Sequence, residues 1–153
     1  EYPKAKERLV PIMHSNDPDL SGLVKRNGRL LMYHGWNDAA IPAGASLDYH
    51  ASVRETLGPI ADEHVRLFMI PGMMHCFGGL GPSDYDLLDE LDRWVESGTA
   101  PERIVATEYD PPALLGPAPG AKAVRTRPLC PWPKVSRYTG KGSTDDAANF
   151  HCE

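Results

Sequence analysis

Two short stretches hold the residues best suited to chemistry. "PGMMHCFGG", residues 71–79, joins a histidine, His75, to a cysteine, Cys76, in a loop rich in Gly and Met. "HGWNDAAIP", residues 34–42, carries an acid, Asp38. An imidazole paired with a carboxylate is the proton-handling half of a nucleophilic triad. The carboxylate accepts the imidazole Nδ1–H and fixes the tautomer. Nε2 is then free to take a proton from a hydroxyl, and the carboxylate stabilises the imidazolium that results.

Such a pair works only if the chain delivers both groups to one place. Each follows a short apolar run that reads as a buried strand, residues 29–35 before Asp38 and residues 65–72 before His75. Between them, residues 43–57 suit a helix, with Leu47, Ala51 and Leu57 loosely on one side and Gly58-Pro59 ending it. Strand, helix, strand is a βαβ unit, which makes the two strands parallel. Neighbouring strands lie about 4.8 Å apart. Their carboxyl ends face one rim, where ligands of such sheets bind, and an Asp38–His75 hydrogen bond is within easy reach.

The next element is "SDYDLLDELDRWVESG", which puts Leu87, Leu88, Leu91, Trp94 and Val95 on one helical stripe. Ser83 with Asp86 is expected to cap it in the manner of a capping box, with Asp84 and Asp86 in the first turn, and Gly98 to close it. Residues 103–107 suit one more strand. Residues 1–27 read as irregular. From about residue 108 the composition changes: seven of the 15 prolines fall between Pro111 and Pro133, and an extended tail is expected over residues 108–153. His50 and His64 are expected at the surface, and His34 as a packing residue at a strand end. Trp36 is expected to pack beside Asp38.

Composition narrows the function. Hydrophobic residues make up 41% and charged residues 24%, ordinary for a globular domain, and 153 residues can bury a real core. The net charge of −5 speaks against nucleic acid as a partner. No apolar run approaches the roughly 20 residues of a membrane span, so no membrane partner is expected. Three cysteines, Cys76, Cys130 and Cys152, leave at least one thiol without a mate inside the chain. Other readings of the same residues exist. A loop histidine is often merely solvated, and Asn37-Asp38 is good turn chemistry. His34 with Asp38, His75 with Cys76, and His151 with Cys152 could supply metal ligands to a non-catalytic binding module, although their spacing follows no common zinc pattern. Adjacent His-Cys side chains on an extended segment would also point apart.

Asp before His on successive strands is the second half of the Ser…Asp/Glu…His order of α/β-hydrolases. The stretches "LLMYHGWNDAAIP", "VRLFMIPGMMHCFGG" and "LDRWVESGTAPERI", together with the tail "RTRPLCPWPKVSRYTGKG…ANFHC", resemble the C-terminal part of the tannase and feruloyl esterase family. The likeness runs from about residue 16 to the end. It implies α/β architecture: the C-terminal portion of an α/β-hydrolase fold, with a mostly parallel sheet flanked by helices. It implies that residues 1–153 are a partial domain, with the nucleophile and lid missing. The family's Cys-Ser-x-Gly-Gly nucleophile elbow is absent, and so is any G-x-S-x-G. By the same resemblance Asp38 is the triad acid, His75 the base, and Cys76 one end of a bridge to a cysteine beside the serine, outside this chain. Cys130 and Cys152 fit a second bridge across 22 positions, worth about 3 kcal/mol in chain entropy. Two bridges imply an oxidising compartment, hence a secreted or periplasmic protein.

What this implies is a serine esterase acting on small aromatic carboxylic esters, feruloyl, galloyl or related. No cofactor or metal is expected in this chain; a calcium ion, where the family holds one, belongs to the lid. The chain alone is expected to be inactive. A different α/β-hydrolase, such as a prolyl-oligopeptidase-type peptidase, is the alternative, and the His-Cys pair argues against it.

Overall fold

The computed structural model describes residues 2–111 and 116–153. Residues 112–115 of the proline-rich stretch lie outside the described residues. The element order is α1 (Tyr2–Met13), α2 (Ser21–Lys25), β1 (Leu30–Gly35), α3 (Ala43–Leu57), α4 (Ala61–His64), β2 (Val65–Ile70), α5 (Leu87–Ser97), β3 (Ile104–Asp110), β4 (Lys122–Leu129), β5 (Ser136–Tyr138) and β6 (Phe150–Cys152). Among the described residues no helix is long and apolar enough to cross a membrane.

The βαβ unit forms as its pattern dictates. β1 and β2 pair in parallel, from Leu30 opposite Val65 to Gly35 opposite Ile70. β2 is the centre of the molecule, since Val65, Leu67, Phe68 and Ile70 are essentially inaccessible to solvent. Burying a side chain of this size contributes about 1.5–3 kcal/mol. β1 is less enclosed, and Tyr33 is 41% exposed. The expected mostly parallel sheet is limited to this pair. β3 and β4 form an antiparallel ribbon, as do β5 and β6. The crossover to a parallel neighbour is usually a helix, and the described residues between β3 and β4 hold none.

After β3 the described residues of the tail form β4, β5 and β6, and part of it closes over β2. Pro131 bridges Phe68, and the Trp132 N–H donates to the Leu67 carbonyl at 2.7 Å. One core therefore joins β2 (Phe68, Ile70), Met73, β3 (Ile104, Ala106) and β4 (Leu129), with Leu31, Tyr85 and Leu87 packed against it. A disulfide links Cys130 and Cys152, whose Cα atoms are 5.6 Å apart. It fastens the end of β4 to the terminal strand β6.

Several local expectations are corrected. Residues 1–27 are not irregular throughout, because α1 and α2 occupy much of them. Pro3 sits in the first turn, where its missing N–H costs nothing, Lys, Ala, Glu, Arg and Leu carry the middle of α1, and a second proline, Pro11, falls in its last turn. The cap of α5 is Asp86, whose Oδ1 accepts the Asp89 N–H at 2.9 Å, so Ser83 is no N-cap. Asp84 is not in that helix either, since it bridges Thr107 on β3. Gly98 ends α5 at φ 71° with its N–H on the Trp94 carbonyl. The stripe on α5 splits: Trp94 is fully buried, whereas Leu88 is 80% exposed. On α3 the inward positions are His50 and Val53, and Ala51 faces out.

His50 and His64 are buried, not superficial. The His64 Nδ1 lies 2.8 Å from both the Gly28 carbonyl and the Arg29 guanidinium. His50 has its pKa lowered, chiefly by burial and then by the positive charge of Arg54, with Arg66 adding and Asp62 opposing. Below the ordinary histidine value of about 6.5, the unfolded chain takes up a proton that the folded chain refuses. This contribution to stability is therefore complete above that pH and is lost as pH falls. Denaturant midpoints compared between pH 7.5 and 5.5 should show the loss, and His50→Gln should flatten it.

Trp94 is the second point of large expected effect on stability. Two guanidinium groups lie over its ring, Arg29 at 5.8 Å and Arg66 at 5.7 Å from the ring centroid. Trp94→Ala should cost about 3–5 kcal/mol, read as a lowered midpoint in urea.

Candidate active site

The site is built from the two segments that leave the parallel pair at the carboxyl ends of its strands. β1 ends at Gly35, which is buried. A Cβ there would fall 2.6 Å from the Met74 carbonyl oxygen and closer still to that of Met73. Only glycine lets the two segments touch. The contact is then secured by hydrogen bonds from the Trp36 N–H to the Ile70 carbonyl and from the Asn37 N–H to the Met73 carbonyl, both 3.0 Å.

That crossing brings Asp38 and His75 together. The His75 Nδ1 lies 2.8 Å from Asp38 Oδ2. Asp38 is inward, with a side chain 5% exposed, while the His75 side chain is 53% exposed. Oδ1 of Asp38 accepts the N–H groups of Ala40 and Ile41, each at 2.8 Å. The Ile41 N–H is the largest influence on the Asp38 pKa, followed among the lowering influences by the hydrogen bond to His75 and the Ala40 N–H. Together they outweigh desolvation and hold the carboxyl at about 2. Asp38 is thus an anion at any ordinary pH, and an anion is what a protonated imidazole requires beside it.

The histidine loop is shaped by its glycines and by one strained residue. Met73 and Gly79 form a bridge, and the Met74 N–H donates to the Gly78 carbonyl at 3.0 Å. Cys76 has φ of 66°, a left-handed conformation that costs a non-glycine residue energy and clusters at functional sites. The segment is therefore not extended at Cys76, contrary to the sequence expectation. Its thiol is free and exposed. Among the described residues no group of three or more His, Cys, Asp and Glu is arranged to hold a metal ion.

The residue that sequence reasoning missed is His34. Expected to pack at a strand end, with a metal-ligand pairing to Asp38 as the other reading, it lies with Nε2 3.2 Å from Asp38 Oδ2 and 3.1 Å from the Ile41 carbonyl that accepts its proton. The available signal was its spacing of four residues from Asp38 at the end of a strand. Trp36 is 44% exposed, and its ring meets Trp132 of the tail edge to face at 6.0 Å.

Fold and site together define an α/β-type protein that presents a hydrogen-bonded acid–imidazole pair beyond adjacent parallel strands. Comparison with known proteins gives the family: the model for "Tannase and feruloyl esterase" matches residues 1–153, and the chain belongs to that family. It is 42% identical over 134 residues to the mono(2-hydroxyethyl) terephthalate hydrolase of Piscinibacter sakaiensis, covering 88% of this chain and 21% of that protein. It is 39% identical over 155 residues to a probable feruloyl esterase of Arthroderma benhamiae, covering 99% and 27% respectively. The crystal structure of feruloyl esterase B from Aspergillus oryzae superposes with a TM-score of 0.75 at 30% identity, over 90% of this chain and 29% of that one. The chain thus spans less than a third of the length of these relatives.

Proposed function

We propose that this chain supplies the acid and the base of a Ser-Asp-His esterase acting on aromatic carboxylic esters, with Asp38 the acid and His75 the base. The 2.8 Å bond from His75 Nδ1 to an ionised, enclosed Asp38 carries the reading. It leaves Nε2 on the exposed side of the ring, where a nucleophile can reach it. His75 Nε2 takes the serine proton as the serine oxygen attacks the ester carbonyl, and Asp38 stabilises the imidazolium. The same proton passes to the departing alcohol. In the second half His75 draws a proton from water as the water oxygen attacks the acyl carbonyl; the acyl–serine bond then breaks, the acid leaves and His75 returns the proton to the serine oxygen.

The serine belongs, in this reading, to sequence outside residues 1–153. No Cys-Ser-x-Gly-Gly or G-x-S-x-G motif occurs in the chain. Cys76 is exposed and unbridged. A hollow beside it is lined by Tyr33, Phe77, Tyr85, Leu87 and Leu88 together with the polar Ser83, Asp84 and Asp86, a mixed surface that the segment bearing the serine and the partner cysteine would cover. The Cys130–Cys152 disulfide and a second bridge from Cys76 suit a secreted or periplasmic enzyme. The names of the relatives, feruloyl esterase and mono(2-hydroxyethyl) terephthalate hydrolase, support an aromatic acyl group.

A fluorophosphonate probe on the full-length enzyme should label one serine outside this chain and stop ferulate ester hydrolysis. Labelling of a serine within residues 1–153, or ester turnover by these residues alone, would overturn the reading.

A further inference from the structure

The inward face of β4 carries two arginines. Leu129 lies opposite Ile104 and Arg127 opposite Ala106, and Leu129, Ile104 and Ala106 are all buried. Alternate residues of a strand share a face, so Arg125 and Arg127 continue the side on which Leu129 meets the core. Arg125 is answered there by Glu108 at 3.4 Å and Asp145 at 3.2 Å. Arg127 is not: among the described residues no carboxylate lies within ion-pair distance of it. Its guanidinium carbon sits 4.6 Å from the centroid of the Phe150 ring, and its Nη1 donates to the Thr126 carbonyl at 2.8 Å. Nε and Nη2 make no hydrogen bond among the described residues and are not sealed from solvent. These two donors share one edge of the guanidinium, the edge that meets both oxygens of a carboxylate.

Arg127 lines a cleft of about 370 Å³ whose apolar walls are Pro71, Leu80, Pro82, Pro128 and Phe150. Pro71 and Leu80 stand at the two ends of the His75 loop, which close on each other where the Leu80 N–H donates to the Gly72 carbonyl at 3.0 Å. Neither Asp38, His75 nor Cys76 lines the cleft. We propose that it binds a small aromatic carboxylate, with the carboxylate on Nε and Nη2 of Arg127 and the ring among Pro71, Pro82 and Pro128. The unanswered guanidinium demands an anion, and the apolar walls demand that the anion carry an apolar body. Walls of proline and phenylalanine rings suit a flat ring. The volume lies at the small end of ligand sites, which admits one ring and excludes a long chain. The acid released by an aromatic esterase is of this class. Ferulate as the probe therefore rests on the function proposed above, whereas the demand for a carboxylate on an apolar body rests on the cleft alone.

The test is calorimetric titration of ferulate into the full-length enzyme after a fluorophosphonate has blocked the nucleophile, with each variant's thermal midpoint recorded. One ferulate should bind per chain. Arg127→Gln should weaken it about ten- to a hundred-fold, the loss expected when a hydrogen-bonded charge is removed. The amide of the same acid keeps the ring and loses the charge, so it should bind the parent weaker by a similar factor. No binding to the blocked enzyme, equal affinity for acid and amide, or undiminished affinity in a folded Arg127→Gln overturns the proposal. Should Arg127→Gln fail to fold, a crystal structure of the parent enzyme with ferulate decides: acid seated on Arg127 upholds the site, and acid bound only elsewhere overturns it. The labelling step separates this proposal from the reading beneath it. If no serine is labelled, the serine-esterase reading falls, and the difference in titration between parent and Arg127→Gln still decides the cleft. If one serine is labelled and the blocked enzyme takes up no ferulate, only the cleft falls.

Discussion

Replacing His75 with alanine in the full-length enzyme should lower kcat about 10⁴- to 10⁶-fold, the largest effect expected of any substitution in this chain. Without the imidazole nothing in reach can take the serine proton. What remains is the contribution of binding and of oxyanion stabilisation. Stability should hardly change, because the ring is half exposed and Asp38 keeps its two backbone donors. Single-turnover kinetics with a ferulate ester, beside a thermal melt, separates the two effects. Activity within tenfold of the parent would remove His75 from the chemistry, and with it the reading of this chain as the acid–base half of an esterase.

Asp38→Asn should cost about 10⁴-fold, and the reason lies in which atom each donor occupies. The amide oxygen of asparagine can replace Oδ1 and keep the Ala40 and Ile41 N–H groups. Its NH₂ then falls where Oδ2 was, facing His75 Nδ1. An N–H donor there needs an unprotonated Nδ1, so the proton moves to Nε2 and the base is lost with little change in geometry. The imidazolium would also lose the anion that Asp38 provides, whose pKa near 2 keeps it charged across the working range. Combining the change with His75→Ala should lower kcat no further than His75→Ala alone, since residues that act as a unit are not additive. An additive double mutant, or an Asn variant of ordinary activity, would count against the pair acting together.

Much of this site was legible before any coordinates. Two apolar runs, each followed by a polar, Gly-containing loop with one ionisable residue, and a helix between them, specify parallel neighbours. Parallel neighbours put both loops on one rim, and the register of β1 and β2 follows from that. The tail was expected to be extended, because proline-rich sequence offers few backbone donors for a helix; among its described residues are the strands β4, β5 and β6. The placing of His34 beside Asp38 was not legible, because the partners of a strand-end histidine depend on how the following loop folds back over it. The inward turn of His50 was hidden for a similar reason: histidine looks polar in a pattern, and its burial depends on the partners that α3 meets. The cap of α5 shifted from Ser83 to Asp86 because the Asp84–Thr107 bridge pulls the preceding residues toward β3, a contact between segments more than twenty residues apart.

The sequence by itself determined the βαβ unit, the placing of Asp38 and then His75 just past successive strands, and the family, since these depend on local period and on residues close together in the chain. Tertiary structure alone decided that β3 turns back on β4 instead of extending the sheet, that the tail closes over β2, and that His34 joins Ser46 of α3 to the Ile41 carbonyl. Those outcomes depend on distances between segments remote in sequence, which no local pattern encodes.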